Sequence, residues 1–341
     1  EKDRNIYSRY SNPNSTEFID KVCKMEGAEA GFAFASGMAA VYSTFVALLE
    51  SGDHIVSSKS IFGSTHTLFT QFFPKWDIST SYFDVNDLDA VENLITSKTK
   101  IIYAETPTNP GVDVLDLEAL GNIAKKHGLI FIIDNCFASP YLQQPIKFGA
   151  DLIIHSGTKL MDGQGRVLAG ITVGRHELMD KIYRFARITG PALSPFNAWV
   201  LSKSLETLAL RVDRHCSNAL ALATFLEGQP QVEWVKYPFL KSHPKYEIAK
   251  KQMKAGGCVV AFEVKGGLEA GRKFFDAIKM LSLSANLGDS RSIVTHPAST
   301  THSKLTTEER RAVGISDGMV RVSVGLEHID DIVQDIEQAL G

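Results

Sequence analysis

The sequence places an acid and an amine just beyond two apolar runs. Asp134 ends the run Leu129-Ile-Phe-Ile-Ile133, and Lys159 closes the stretch His155-Ser-Gly-Thr-Lys159, which follows Asp151-Leu-Ile-Ile154. Two further polar stretches follow apolar runs, Ser36-Gly37-Met38 and Glu105-Thr-Pro-Thr-Asn-Pro110. In open α/β sheets, ligands bind outside the carboxyl ends of the strands. We therefore expect these residues to surround a ligand at one edge of a sheet.

Lys159 and Asp134 have side chains suited to a carbonyl cofactor that carries a ring nitrogen. A lysine amine in a desolvated site is nucleophilic and can form an imine with such a cofactor. The carboxylate of Asp134 stands at the rim of a buried sheet, where a lone charge is costly and a cationic partner is expected. A pyridinium nitrogen is one such partner, and a lysine or arginine of the protein is the other. Taken singly, Lys159 also fits a solvated loop.

Ser36-Gly37-Met38 opens a predicted helix. Free backbone N–H groups and the positive end of the helix dipole lie at such a terminus, where a phosphate binds. The hydroxyls of Ser156 and Thr158 are available to the same phosphate. An ordinary turn that needs a small residue explains Ser36-Gly37-Met38 equally well on its own, so the interpretation depends on the whole set. Together with the acid and the amine, a phosphate site indicates pyridoxal 5'-phosphate (PLP).

Other cofactor patterns are weak. The glycine-rich stretch Asp162-Gly-Gln-Gly-Arg-Val-Leu-Ala-Gly170 does not fit the dinucleotide pattern GxGxxG, and neither GxxxxGK[ST] nor the zinc motif HExxH occurs. No CxxC pair is found among the cysteines, which are Cys23, Cys136, Cys216 and Cys258. We expect reduced, buried thiols and no metal site.

Composition favours a small-molecule partner. The 341 residues contain 36 Lys and Arg against 39 Asp and Glu, a net charge of -3, so there is no basic footprint for nucleic acid or for an acidic membrane. No apolar run reaches the roughly 18 residues of a membrane span, and no signal peptide opens the chain. We expect a cytoplasmic protein.

Strand and helix patterns alternate through the first 195 residues, which predicts an α/β fold with a mostly parallel sheet covered on both faces. A typical helix is predicted over Leu117 to His127, with Asp116 before it and Gly128 after it as caps. The predicted strands are Gly31 to Ala35, His54 to Ser57, Ile78 to Phe83, Lys100 to Glu105, Leu129 to Asp134 and Asp151 to His155.

The pattern also predicts three parts of the chain. Residues 1–14 form a polar and aromatic arm, 15–205 the large α/β domain, and 206–341 a smaller α+β domain. The third part opens within a long helical pattern from Asn197 to Leu226. Three separated strands and a final helix follow, near Cys258 to Val264, Leu281 to Leu287, Met319 to Val324 and Ile329 to Leu340.

With these motifs, the sequence resembles the cystathionine-synthase group of Cys/Met metabolism enzymes, which are PLP-dependent and of fold type I. The resemblance runs through nearly the whole chain and implies a seven-stranded large-domain sheet. The motifs that carry it are Tyr7-Ser-Arg9, Phe62-Gly-Ser-Thr65, Asp134-Asn-Cys-Phe137, Leu142-Gln-Gln-Pro145, Asp162-Gly-Gln-Gly-Arg166, Asn286-Leu-Gly-Asp289 and Val320-Arg-Val-Ser-Val-Gly-Leu-Glu327.

The resemblance implies a role for each matching residue. Lys159 is the Schiff-base lysine, and Asp134 pairs with the pyridine nitrogen. Asn109 bonds the phenolic oxygen of the cofactor, while Arg321 clamps the α-carboxylate of the substrate. Tyr7 and Arg9 reach the phosphate from a neighbouring subunit, so the active unit is at least a dimer. The family is generally tetrameric, so the resemblance implies a homotetramer built from dimers that share active sites. The remaining phosphate-site residues are Ser36, Gly37, Met38, Ser156 and Thr158.

The chain departs from the wider group at the residues that meet the ring and the substrate. Phe62 stands where most members stack a tyrosine, and Asn286 stands where a serine commonly helps to bind the carboxylate. These features resemble the members that carry out γ-replacement on O-succinylhomoserine, in which sulfide displaces succinate and gives homocysteine in methionine biosynthesis. The alternatives are a C–S lyase acting on cystathionine or methionine, a synthase that uses cysteine, and a protein without PLP chemistry.

Overall fold

The computed structural model describes residues 5–300, 306–308 and 314–341. The described residues pack as two compact units. The first includes the chain up to Thr106 and resumes over Leu115–Leu208, whereas the second comprises Pro107–Val114 and Ala209–Gly341. Each unit is built around its own sheet.

The first unit contains the expected mostly parallel sheet. Its order is β1-β7-β6-β5-β4-β2-β3, and β7 alone runs antiparallel to both of its neighbours. The central strands are buried on both faces, as nearly continuous apolar runs predict. The strands are β1 Ala30–Phe34, β2 His54–Ser58, β3 Ser79–Phe83, β4 Thr99–Glu105, β5 Ile130–Asp134, β6 Leu152–Ser156 and β7 Gly170–Gly174.

Strand β7 was not predicted, because it begins and ends with glycine and follows a glycine-rich stretch. Both glycines are required by close backbone contacts. A Cβ atom on Gly170 would lie 2.1 Å from the carbonyl oxygen of Ser36, and one on Gly174 would lie 2.1 Å from that of Asp151. Residues that look like loop formers therefore allow β7 to pack against its neighbours.

The helices of the first unit cover the sheet. Asp116 caps the helix that begins at Leu117 by accepting a hydrogen bond from the amide of Ala119, and Gly128 ends it in the left-handed conformation, as predicted. These helices are α1 Pro13–Glu26, α2 Gly37–Leu48, α3 Gly63–Thr67, α4 Val91–Leu94, α5 Leu117–His127, α6 Ser139–Leu142, α7 His176–Thr189 and α8 Pro195–Leu205.

Helix α1 begins inside the segment predicted as an arm. Pro13 occupies its first turn, and the Asn12 side chain caps it by accepting from the amide of Asn14. The arm is thus shorter than the predicted 1–14. The long helical pattern from Asn197 to Leu226 is also not one helix, since α8 ends at Leu205 and the next helix begins at Leu208.

The second unit has a five-stranded sheet in the order β10-β11-β12-β9-β8. Two of its strands were not predicted, the half-exposed β8 and the three-residue β11. Strand β10 is shorter than the predicted Leu281 to Leu287. The strands are β8 Val232–Lys236, β9 Val259–Val264, β10 Ser282–Leu283, β11 Ile293–Thr295 and β12 Met319–Ser323. The helices are α9 Leu208–Glu227, α10 Tyr246–Gln252, α11 Gly267–Ala277 and α12 Ile329–Leu340, the last with the predicted bounds.

Each unit has an apolar core. In the first, the rings of Phe45, Phe69 and Tyr103 meet between α2 and the sheet, with centroids 4.9 to 5.6 Å apart. In the second, Phe262 and Phe274 pack edge to face at 5.6 Å. Within the described residues, no helix is long and apolar enough to cross a membrane.

Candidate active site

Strands β4, β5 and β6 bring their polar ends to one edge of the first sheet. Glu105 pairs in register with Asp134, and Asp134 pairs with Ile154, two residues before Ser156. Because these strands are parallel, the predicted strand-end residues of this unit do share an edge. The chain then turns, with the amide of Lys159 donating to the Ser156 carbonyl at 3.2 Å.

Asp134 is a carboxylate in need of a positive charge. Burial raises its pKa from 3.8 to about 6, opposed by a hydrogen bond from the amide of Cys136 at 3.0 Å and by the nearby His155. Among the described residues, no lysine, arginine or histidine forms an ion pair with it. Sequence analysis left a lysine or arginine of the protein as the alternative partner of Asp134. Within the described residues, the structure contains no such ion pair.

Lys159 lies in the same neighbourhood as Asp134. Burial raises the pKa of the Cys136 thiol, the carboxylate of Asp134 raises it further, and the positive charge of Lys159 opposes both. The two charges therefore act on one side chain, that of Cys136. The structure brings together the acid and the amine that the sequence singles out.

The start of α2 lies against the end of β6. A Cβ atom on Gly37 would lie 2.9 Å from Cβ of Ser156, so glycine allows this approach. The Ser36 hydroxyl caps the helix by accepting from the amide of Ala39 at 3.1 Å. The amides of Gly37 and Met38 donate to no group of the described chain. Free amides at the positive end of a helix dipole are what anion binding requires, so the geometry is compatible with the predicted phosphate site.

The two predicted hydroxyls differ in what they do. Ser156 makes no side-chain hydrogen bond within the described residues, whereas Thr158 bonds the backbone of Ala169 twice. Its oxygen accepts from the Ala169 amide at 2.9 Å and donates to the Ala169 carbonyl at 3.3 Å. Thr158 therefore ties the lysine turn to the segment that leads into β7.

Phe62 is held by a residue to which sequence reasoning gave no role. Its ring is 44% exposed, and its amide donates to the Glu105 carboxylate at 2.9 Å. Glu105 is buried at the end of β4. Like Asp134, Glu105 is a carboxylate that ends an apolar run. The same sequence pattern could therefore have identified Glu105.

The arm residues bond elsewhere within their own chain. Arg9 donates to the carbonyl of Arg187, and its guanidinium lies over the rings of Tyr7 and Tyr10 at 5.2 and 4.7 Å. The ring of Tyr7 is 56% exposed. No hydrogen bond in the described residues joins Tyr7 or Arg9 to the phosphate-site residues of the same chain.

In the second unit, Arg321 is the centre of a separate polar cluster. Its guanidinium is nearly buried and donates to Oδ1 of Asn109 at 2.8 Å. It also donates to the carbonyls of Ala285 and Asn286 at 2.9 and 3.0 Å, and to the Thr295 hydroxyl at 3.3 Å. These four acceptors are neutral, and together they orient the guanidinium. The structure thus groups three predicted residues, Arg321, Asn109 and Asn286.

The residues of the first unit fit PLP. Asp134 can receive a protonated ring nitrogen, since burial raises its pKa and no residue of the described chain forms an ion pair with it. The amides of Gly37 and Met38 can receive the phosphate, and Lys159 can supply the amine. Fold and site together define an α/β enzyme that uses PLP.

The chain belongs to the Cys/Met metabolism PLP-dependent enzyme family, whose model matches residues 1–341. It is 46% identical over 336 residues to an O-succinylhomoserine sulfhydrylase of Pseudomonas aeruginosa, covering 98% of this chain and 83% of the relative. It is 44% identical over 339 residues to an L-methionine gamma-lyase of Fusobacterium nucleatum, covering 98% and 86%.

Among solved structures, the crystal structure of metB from Corynebacterium glutamicum superposes with a TM-score of 0.94 at 38% identity, covering 99% of this chain and 88% of that chain. The expected family, fold class and cofactor are thereby confirmed. Sulfhydrylases and lyases are similar to this chain at nearly equal identity, so similarity alone does not choose the reaction.

Replacing Asp134 with asparagine should have opposite effects with and without PLP. The folded apoprotein holds a proton that the unfolded chain releases between about pH 4 and pH 6, so ionisation of Asp134 lowers its stability as pH rises through that window. Apo Asp134→Asn should therefore unfold at the wild-type temperature near pH 4 and at a higher temperature near pH 7. With PLP saturating, the wild type should be the more stable, because the cofactor supplies the missing cation.

Thermal unfolding of both forms measures this. Asp162→Asn is the matched control, since buried Asp162 already has a cation, Arg166, at 3.0 Å. It should lower the unfolding temperature at both pH values. An apo Asp134→Asn protein less stable than wild type near pH 7 would contradict the account.

Proposed function

We propose that this enzyme replaces the succinyloxy group of O-succinylhomoserine with sulfide: a Cγ–S bond forms, the Cγ–O bond breaks, and the products are homocysteine and succinate. The observation that carries the proposal is Phe62, an exposed aromatic ring without a hydroxyl where most relatives are expected to place a tyrosine. A succinate carboxylate leaves as a stable anion without a proton, since carboxyl pKa values lie near 4. A thiol leaving group, with a pKa near 8.5, benefits from a general acid that phenylalanine cannot supply.

Each residue of the site has a defined task in this proposal. PLP, when bound, supplies an electron sink for the charge left at Cα. Asp134 keeps the ring nitrogen protonated, and the amine of Lys159 removes the proton from Cα and returns protons to the carbon skeleton. Phe62 covers the ring, and the amides of Gly37 and Met38 hold the phosphate.

The residues of the second unit belong to substrate recognition in this proposal. Arg321 binds the α-carboxylate through its guanidinium, which Asn109 and the Asn286 carbonyl orient. The Asn286 side chain adds a contact to the same carboxylate. Asn109 also serves the phenolic oxygen of the cofactor.

A C–S lyase is the second candidate, favoured by the methionine gamma-lyase relatives. The two reactions release different products, and this difference gives the test. Incubated with O-succinylhomoserine and sulfide, the enzyme should form homocysteine and succinate, identified by mass. From methionine it should release 2-oxobutanoate at least about tenfold more slowly. Faster release of 2-oxobutanoate from methionine than formation of homocysteine would contradict the proposal.

Phe62→Tyr extends this test. By restoring an acid beside the leaving group, it should raise 2-oxobutanoate release from methionine by about tenfold or more. The control is Phe72→Tyr, which adds the same hydroxyl to a phenylalanine that is 45% exposed, close to the 44% of Phe62, and should change nothing.

We also propose that the arm serves the active site of a neighbouring subunit, in dimers that pair into a homotetramer. In the part of the chain that the structure describes, Tyr7 and Arg9 make no hydrogen bond to the proposed phosphate site of their own chain. Large apolar side chains on and beside α8 are exposed, Phe196 by 65%, Trp199 by 48% and Leu168 by 63%. Such clusters mark protein interfaces.

Mixing two inactive variants tests the shared site. Arg9→Ala and Lys159→Ala should each lose activity, but a hybrid dimer contains one site with both residues intact. Random exchange of subunits should restore about a quarter of wild-type activity, because about half of the dimers are hybrids with one complete site of two. Arg184→Ala, at a surface ion pair on α7, is the control and should keep full activity. If mixing the two variants restores no activity, the proposal that the arm serves a neighbouring subunit's site is contradicted.

A further inference from the structure

Behind the strand ends that carry the site lies a layer of buried polar side chains. Its members are neighbours in sequence of the site residues, because successive side chains of a strand point to opposite faces. Asn135 follows Asp134, His155 precedes Ser156, and Thr106 follows Glu105. The chemistry described so far uses none of the three.

One carboxylate joins two of these strands. Oε1 of Glu26, the last residue of α1, accepts from Nε2 of His155 at 2.6 Å and from Nδ2 of Asn135 at 3.0 Å. Glu26 therefore connects the residue after Asp134 with the residue before Ser156. Its other oxygen, Oε2, is buried and has no hydrogen-bond partner among the described residues.

Gln143 extends the layer to the third strand. Its Nε2 donates to the carbonyl of Thr106 and to Oδ1 of Asn135, each at 2.9 Å. The backbone carbonyl of Gln143 accepts from Nδ2 of Asn135, also at 2.9 Å. The hydrogen bonds run without a break from the end of β4, across β5, to the end of β6.

Burying these polar side chains costs free energy of folding. Glu26, Thr106 and Asn135 are 0% exposed, and Gln143 and His155 are 1% exposed. Apolar side chains of similar volume stabilise a buried site as well or better, so buried polar groups are weak evidence for stability. What a continuous hydrogen-bond network adds is one fixed arrangement of the groups it joins. Here those groups are the backbones that hold Asp134 and Ser156.

We infer that Glu26, with Asn135 and His155, is a positioning network that sets the spacing of Asp134 and Ser156, and so determines how tightly PLP is held. The network acts through hydrogen-bond geometry, so an acceptor at residue 26 is required and its negative charge is not. The inference concerns cofactor binding alone and holds whichever reaction the enzyme catalyses.

The test compares two substitutions of Glu26. Glu26→Leu removes the acceptor and should weaken PLP binding by about tenfold or more, the scale found when groups that orient metal ligands are lost. Glu26→Gln keeps an acceptor and should bind PLP within about threefold of wild type. The first readout is the PLP affinity, obtained by titrating apoprotein with PLP and monitoring absorbance near 420 nm. The second is the visible circular dichroism of the bound cofactor at saturation.

A matched control lies at the opposite end of the same sheet. His54, at the start of β2, is 5% exposed and bonds Thr99 Oγ1 at 2.8 Å and Ser81 Oγ at 2.9 Å. His54→Leu should lower the unfolding temperature much as Glu26→Leu does and leave both PLP readouts unchanged.

Two results would overturn the inference. One is PLP affinity within about threefold of wild type in Glu26→Leu, and the other is an equal loss of affinity in Glu26→Leu and His54→Leu. Should Glu26→Leu fail to fold, Gln143→Met removes the bonds to Thr106 and Asn135 while leaving the Glu26 contacts in place. It should weaken PLP binding by several-fold, and unchanged affinity in that variant would equally overturn the inference.

Discussion

A carboxylate at the end of a buried strand requires a positive charge, and this requirement governs the site. Burial raises the pKa of Asp134, and none of the ion pairs found among the described residues includes it. We propose that a ligand completes the electrostatic balance of this acid. A protonated pyridine nitrogen would meet that need, and the nearby amine of Lys159 would give the same ligand a point of attachment.

The parallel sheet provides both the site and its support. The period-two alternation of β4, β5 and β6 directs Glu105, Asp134 and Ser156 to one side and leaves their sequence neighbours for the other. On the first side, Glu105 holds the Phe62 loop and glycine lets α2 approach Ser156. On the other, the Glu26 network is proposed to set the spacing of the strands. One geometric rule thus accounts for two layers with different tasks.

Much of this arrangement could be predicted from local pattern. Apolar runs followed by polar residues identified six strands of the first sheet, and capping residues set the bounds of α5. Strand β7 was missed because its glycines are required by contacts with Ser36 and Asp151, which no local window contains. The bond between Arg321 and Asn109 joins residues far apart in the chain, and only the family resemblance singled them out. The network around Glu26 was likewise invisible, since it spans α1, β5 and β6.

The central claim is that Asp134 and Lys159 hold PLP together, with the cofactor attached to Lys159. Borohydride reduction of the purified protein, followed by proteolysis and tandem mass spectrometry, tests it most directly, because reduction converts an imine into a stable amine. The account predicts the added mass of the cofactor on Lys159 alone, with less labelling in Asp134→Asn at limiting PLP. Labelling of another lysine, such as Lys203, or labelling of Lys159 that is indifferent to Asp134→Asn, would contradict it.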